Sequence, residues 1–347
     1  MSERLVVCLG YPELQEPKHV ERVRAIDPRI EVVTLPVDPD GEWITVPPAD
    51  PHAEPPPWAV GCGTARRKAL DTAHVLLALH TPADLPKQAP NLRWVQCIGA
   101  GVDQFAAAGL RSPARLTNAS GLSSTSMAEY VLGRILQVWK RFPEQAELQR
   151  NHEYVQTYGR TFEGSTVGVV GLGAIGAAVG KRAKALGATV LGQKRRFTPG
   201  MTHPDADELF GVEGLHEMLS RCDVVVVAAP ATDDTFHIID AAALAAMPRG
   251  SMLINVARGS LLDEKAFIDA MERGHLGAAA LDVFENEPLP PDSPLWDLPN
   301  LLISAHSSVS TDRYAHDVFE LFVDNLARYV AGQELRNQLD MEALGFS

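Results

Sequence analysis

Positive charge is scarce in this chain. Its 31 lysines and arginines face 44 aspartates and glutamates, for a formal net charge of −13. No general basic surface therefore exists to hold nucleic acid or an anionic membrane, and any basic cluster is local with a local purpose. Cysteine is sparse too: Cys8, Cys62, Cys97 and Cys222 lie far apart, with no C-x-x-C pair. Each reads as a small buried apolar residue, and together they fit a reducing compartment. No apolar run approaches the roughly 20 residues that span a bilayer. The opening "ERLVVCLGY" is too short for a signal peptide and runs directly into "PELQEPKHVER". These absences predict a cytoplasmic protein with neither membrane nor nucleic acid as partner. His203, His216, His237 and His275 are scattered, without H-E-x-x-H or Cys/His ligand spacing, so no metal centre is expected. No G-x-S-x-G or other nucleophile motif occurs either.

What is present is an alternation of short apolar runs and helical stretches over 347 residues, enough for two domains. In the N-terminal part "RLVVCLG", "IEVVTL", "HVLLAL" and "LRWVQCIG" read as buried strands, and "EPKHVERVRAI" and "TARRKALDTA" as helices. Such alternation favours a parallel sheet covered on both faces. The proline-rich segment 36–58 interrupts it, either as a surface excursion or as a loop that closes over a ligand. "RLTNASGLSSTSMAEYVLGRILQVWKRF" then reads as a long helix capped from its Ser/Thr cluster. Six further strands follow, "TVGVVG", "ATVLGQ", "DVVVVAA", "SMLINVA", "AAALDVF" and "LLISAH", separated by helical crossovers. Six strands so connected fit a dinucleotide-binding sheet. "DRYAHDVFELFVDNLARYVAG" closes the pattern as an amphipathic helix.

"VGVVGLGAIGAAVG" places Gly171, Gly173 and Gly176 in G-x-G-x-x-G spacing, after an apolar strand and before an alanine-rich helix. Gly171 permits the tight turn, Gly173 lets the backbone approach a pyrophosphate, and Gly176 lets helix and strand pack closely. The amides of Ala174 and Ile175 open the helix, where their partial positive charge faces phosphate oxygens.

Together with that loop, "QCIGAGVDQF", "LINVARGSLLDE" and "ALDVFENEPLPPDSPLWDLPNLLISAHSS" resemble the D-specific 2-hydroxyacid dehydrogenases. The resemblance runs from about residue 70 to "LRNQLD", with the motifs in the expected order; the first 70 residues match only in their βα pattern. It implies two doubly wound parallel-sheet α/β domains, a Rossmann cofactor domain and a flavodoxin-like substrate domain, with a cleft between them. The expected division is a substrate domain over 1–117, a cofactor domain over 118–308, and a return to the substrate domain over 309–347. The resemblance also implies a homodimer. The apolar face of the long helix, with Met127, Tyr130, Val131, Ile135, Val138 and Trp139, is the physical hint for that assembly.

The resemblance maps an Arg, a Glu and a His onto Arg258, Glu287 and His306. Reducing a 2-keto acid needs hydride at C2 and a proton on the keto oxygen. Imidazolium suits the second task, because its unperturbed pKa lies near physiological pH. A carboxylate on the other ring nitrogen orients it and favours its charged form. A guanidinium holds the substrate carboxylate through paired hydrogen bonds and polarises the adjacent carbonyl. By the same resemblance the amides of Ala100 and Gly101 bind the substrate carboxylate. Asp282 accepts from the nicotinamide carboxamide, with a structurally paired buried Asp as the alternative. Pro230, and more weakly Thr235, line the dinucleotide.

Some residues depart from the family. Ala305, Ser307 and Ser308 surround the histidine where Pro and Ala-Gly are usual, which makes the pocket more polar. Formate dehydrogenases of the superfamily carry Gln where this chain has Glu287, which argues against that activity. The expected reaction interconverts a small 2-keto acid and a D-2-hydroxyacid. A dinucleotide-sensing scaffold like the corepressors of this fold, and a dehydrogenase of a non-carbon acid such as phosphite, use the same residue types.

One basic cluster stands out. An NAD site carries an acid about 20 residues beyond the glycines, on the ribose hydroxyls. Here Gln193 or Lys194 takes that position, followed by Arg195 and Arg196. Such cations favour the 2′-phosphate, so NADP(H) is the expected cofactor, with NAD(H) still usable.

Overall fold

In the computed structural model the described residues are 4–35, 67–79, 81–82, 84–310 and 313–342; segment 36–58 and Cys62 lie outside them. The chain divides into two compact units, Met1–Leu122 with Thr311–Ser347, and Ser123–Ser310.

The smaller unit carries a parallel sheet of β1 (Leu5–Leu9), β2 (Ile30–Thr34), β3 (Val75–Ala78), β4 (Trp94–Cys97) and β5 (Arg115–Thr117). Its order, β2-β1-β3-β4-β5, is the flavodoxin-like one. β3 and β4 are buried at every position, which is why they read as unbroken apolar runs. β5 covers only three residues, too few for a periodic signal. Ala119 and Leu122 pack into this core, which carries the unit past residue 117.

The C-terminal helix Tyr314–Val330 buries Val318, Phe319, Phe322 and Leu326 in the same core as Val7, Leu9 and Trp94. A buried polar chain ties it down. Asn325 Nδ2 donates to Gln96 Oε1 at 3.0 Å, Thr117 Oγ1 donates to the same oxygen at 2.8 Å, and Trp94 Nε1 donates to Thr117 Oγ1 at 2.9 Å. Asn325 also exchanges two backbone hydrogen bonds with Arg336, so each of its polar atoms is paired.

The larger unit is built on β6 (Thr166–Val170), β7 (Thr189–Gln193), β8 (Glu208–Phe210), β9 (Val224–Val227), β10 (Met252–Asn255), β11 (Ala278–Leu281) and β12 (Leu301–Ile303). All pair in parallel, in the order β12-β11-β10-β9-β6-β7-β8. The sheet has seven strands rather than six, because β8 is a three-residue edge strand invisible to periodicity. The order reverses at β6, so the switch point where such sheets take ligands lies at the glycine loop that follows it.

The long helix runs only from Ser124 to Trp139. Ser123 occupies its cap position but its side chain makes no capping bond, contrary to expectation. Arg141, at φ 59°, breaks the chain direction, and a separate helix Phe142–Arg150 follows that buries no residue. Met127, Val131, Ile135 and Trp139 are buried in this unit's own core with Val167, Val169, Val179 and Ala183. That face is therefore not spare surface for a second subunit. No described helix is long and apolar enough to cross a membrane.

Candidate active site

The glycine loop leaves β6 and enters the helix Ala174–Ala185. Gly171 sits at φ 93°, and a Cβ there would lie 2.5 Å from the Ala229 backbone. At Gly176 a Cβ would meet the Gly171 carbonyl at 2.3 Å, so the helix rests directly on the turn. Gly173, the helix cap, has nothing within 4 Å of its missing side chain. The open side of the loop is therefore at Gly173, beside the first helical amides of Ala174 and Ile175.

The end of β7 is pinned to this loop. The Gln193 carbonyl accepts from the amides of Gly171 and Leu172 at 3.2 and 3.1 Å. Gln193 is buried, Lys194 half-buried, and Arg195 and Arg196 exposed. None of the three cations is in an ion pair with a described residue. On the other side of the switch point Thr235 donates to the Pro230 carbonyl at 2.8 Å and closes a capping box with Thr232. Thr235 therefore shapes the loop that carries Pro230.

β10, β11 and β12 are neighbours, and their carboxyl ends carry Arg258, Glu287 and His306. His306 Nδ1 and Glu287 Oε2 are 2.9 Å apart, and the other carboxylate oxygen accepts from the Phe284 amide at 3.0 Å. Glu287 is thus fixed at both oxygens, and His306 keeps Nε2 to present a proton. The imidazole is half exposed, within reach of a ligand. Arg258 follows β10 through a turn shaped by Asn255, whose side chain donates to the Arg258 carbonyl at 2.9 Å and accepts from the Ala257 amide at 3.0 Å. The Arg258 guanidinium donates to the Ala257 carbonyl at 2.7 Å.

Several supporting residues carried no sequence signal strong enough to single them out. Gly259 packs on the Phe284–Glu285 backbone without room for a side chain. His237 Nε2 lies 2.9 Å from Glu285 Oε1, while the Glu285 amide donates to Glu264 at 2.6 Å. Burial, with Glu285 nearby, pushes the Glu264 carboxyl above its ordinary range. Asp282 is almost wholly buried, at 1% exposure. Its carboxylate accepts from Ser304 Oγ at 2.6 Å and from the amides of Ser307 and Ser308 at 2.8 and 3.1 Å. These bonds are of the kind the structural alternative for Asp282 requires.

In the smaller unit Ala100 and Gly101 form a bend after β4. Asn118 Nδ2 donates to the Ala100 carbonyl at 2.6 Å. Among the described residues neither the Ala100 nor the Gly101 amide has an acceptor.

A seven-stranded parallel sheet with a G-x-G-x-x-G turn at its switch point defines a dinucleotide-binding α/β protein. The family model "D-isomer specific 2-hydroxyacid dehydrogenase, NAD binding domain" matches residues 132–308. Glyoxylate/hydroxypyruvate reductase B of Serratia proteamaculans is 33% identical over 267 residues, 74% of this chain and 81% of that protein. Among solved structures, a D-isomer specific 2-hydroxyacid dehydrogenase family protein from Aeromonas salmonicida is 30% identical with a TM-score of 0.79, covering 98% of this chain and 99% of that one. The NADPH-dependent glyoxylate/hydroxypyruvate reductase of Sinorhizobium meliloti, solved with NADP and sulfate, is 26% identical with a TM-score of 0.75 and covers 99% of both chains. This chain belongs to the D-isomer specific 2-hydroxyacid dehydrogenase family, and is an oxidoreductase with a nicotinamide dinucleotide cofactor.

Proposed function

We propose that the protein reduces a small 2-keto acid to the D-2-hydroxyacid with NADPH as the preferred donor. The observation that carries this reading is the His306–Glu287 pair at 2.9 Å, which joins the ends of β12 and β11 next to the β10 end that carries Arg258. His306 Nε2 delivers the proton to the keto oxygen, while Glu287 at Nδ1 orients the ring. Arg258, turning from the Ala257 carbonyl to the ligand, holds the substrate carboxylate and polarises the carbonyl. In the smaller unit the amides of Ala100 and Gly101, without a described acceptor, are candidates for binding a carboxylate. Asp282 Oδ2, with a single donor, retains acceptor capacity for a carboxamide.

The open side of Gly173 suits a pyrophosphate at the first amides of the helix, with Pro230 along the dinucleotide. A bound nicotinamide supplies the hydride. Lys194, Arg195 and Arg196, exposed or half-buried and without a described carboxylate partner, favour a 2′-phosphate where an acid would repel it. Charge-assisted hydrogen bonds contribute about 1.5–3 kcal/mol each. Replacing Arg195 and Arg196 by Ala should therefore raise the Michaelis constant for NADPH about tenfold or more while leaving that for NADH nearly unchanged. A panel of glyoxylate, hydroxypyruvate, pyruvate and bulkier keto acids, run with both cofactors, tests the whole reading. Equal efficiency with NADH and NADPH would refute the role of the cations, and no turnover with any keto acid would refute the reaction.

A homodimer is part of the proposal. Its support is the run Phe142, Tyr154, Val155 and Tyr158, large apolar residues left exposed beyond the long helix. Light scattering that finds only a 37.6 kDa species at low concentration would exclude it.

A further inference from the structure

His306 adopts φ 48°, in the left-handed region that residues other than glycine seldom occupy. What imposes it here is Asp282. The Asp282 carbonyl accepts the His306 amide at 2.8 Å, and its carboxylate takes the next two amides, those of Ser307 and Ser308. The loop keeps its shape only while that carboxylate keeps its rotation. One side-chain donor fixes the rotation: Ser304 Oγ, bonded to Oδ1 at 2.6 Å.

Ser304 has a single hydroxyl proton, and that hydroxyl donates to Asp282 Oδ1. The proton of Ser304 therefore goes to Asp282, and Tyr130, whose hydroxyl contacts Ser304 Oγ, is the donor in that second bond. Tyr130 stands on the helix Ser124–Trp139, with the Arg134 guanidinium 4.8 Å from its ring centre. The result is a one-way chain of donors, from Tyr130 to Ser304 to Asp282, whose members polarise and orient one another.

We propose that Tyr130 and Ser304 are positioning residues for the proton-transferring histidine: they lock the Asp282 carboxylate that holds the His306 loop in its left-handed form. This rests on His306 acting as the acid/base group proposed above. Neither hydroxyl touches the His306 ring or Glu287, so both act through Asp282.

The test uses Tyr130→Phe, Ser304→Ala, the double variant and Ser304→Thr in the full chain. Two readouts are taken: steady-state kinetics with NADPH binding, and amide hydrogen exchange at Ser307 and Ser308. Misplacing the histidine by a fraction of an ångström should lower kcat about tenfold in each single variant. NADPH affinity should fall by no more than about tenfold, the scale of one carboxamide bond to Asp282, because the glycine loop is untouched. The double variant should be no worse than the worse single one, as expected for members of one unit. Ser304→Thr keeps the hydroxyl and should restore kcat. Exchange at Ser307 and Ser308 should quicken in Tyr130→Phe and Ser304→Ala while β6 amides stay protected. Unchanged kcat, multiplying effects in the double variant, or faster exchange throughout the larger unit would each overturn the proposal. Should wild-type protein reduce no 2-keto acid, only the assignment of His306 fails. The exchange rates then decide whether the relay holds the loop.

Discussion

Replacing Gly259 by Ala tests the geometry of the site with a single carbon atom. A Cβ at 259 would lie 1.9 Å from the carbonyl carbon of Phe284, 2.0 Å from its oxygen and 2.4 Å from the Glu285 nitrogen. Carbon atoms in contact sit about 3.5–4.0 Å apart, so the two segments must separate by about 1.5 Å. Every clashing atom is backbone, and no side chain can rotate out of the way. Either the Arg258 turn moves, or the Phe284 turn moves and takes Glu287 with it, since the Phe284 amide holds that carboxylate at 3.0 Å. Overpacking of this kind costs about 1–3 kcal/mol of stability. A misplacement of about 1 Å in a catalytic constellation costs about 10²-fold in rate. We expect Gly259→Ala to lose about 10² in kcat/KM and to unfold several degrees earlier, measured by keto-acid turnover and calorimetry. Gly133→Ala is the control: nothing lies within 4 Å of its missing side chain, at an exposed position of the helix. That change should gain about 0.5–1 kcal/mol and leave turnover alone. A Gly259→Ala protein with wild-type turnover would show that the 258 and 284 turns need not be held together.

His306→Ala should lower turnover by about 10²–10⁴ with cofactor binding nearly intact, as loss of a general acid/base group does, and single-turnover kinetics with a binding titration separate the two. Glu287→Gln weakens the charge-assisted hydrogen bond that orients the His306 ring, so turnover should fall about tenfold; unchanged turnover would sever the pair functionally. Asn325→Ala leaves the Arg336 amide and the Gln96 side chain short of partners in the smaller unit's core, at a cost of about 1–3 kcal/mol in denaturant melts. Burial pushes the Cys222 thiol from 9.0 up to about 12, so folding protects its proton and stability falls as pH rises from about 9 toward 12. The same pH step should cost Cys222→Ala less than wild type.

Where elements were long and apolar, the chain spelled them out. β6, β9 and β10 are buried at nearly every position, and their runs of Val, Ile and Leu leave no other home for such residues. β5 and β8, three residues each, carry too little pattern to register, and pairing with a neighbour alone makes them strands. The long helix was overextended only at its C-terminal end, where Arg141 in the left-handed region and Pro143 in the first turn of the next helix stop it. Its apolar stripe was legible, but what it faces was not: a periodic stripe says that a surface is buried, never against whom.

The site divides in the same way. Arg258, Glu287 and His306, the proposed catalytic residues, could be named through the family resemblance, which places each after a strand. Residues that hold them carry no such mark. Asn255, Gly259 and Ser304 are ordinary turn and cap residues until the sheet sets β10, β11 and β12 side by side. Two contacts then join the three strand ends. Gly259 lies on Phe284, linking the first to the second, and Asp282 holds the 306–308 amides, linking the second to the third. The first is a backbone contact, and the second joins a backbone bond at His306 to two bonds from the buried Asp282 carboxylate, so the spacing between guanidinium, carboxylate and imidazole is set by the sheet and this one side chain. It follows that substitutions at Gly259 and Asp282 should disturb the reaction more than exposed changes on the three side chains' own loops, although neither residue donates or accepts the transferred proton.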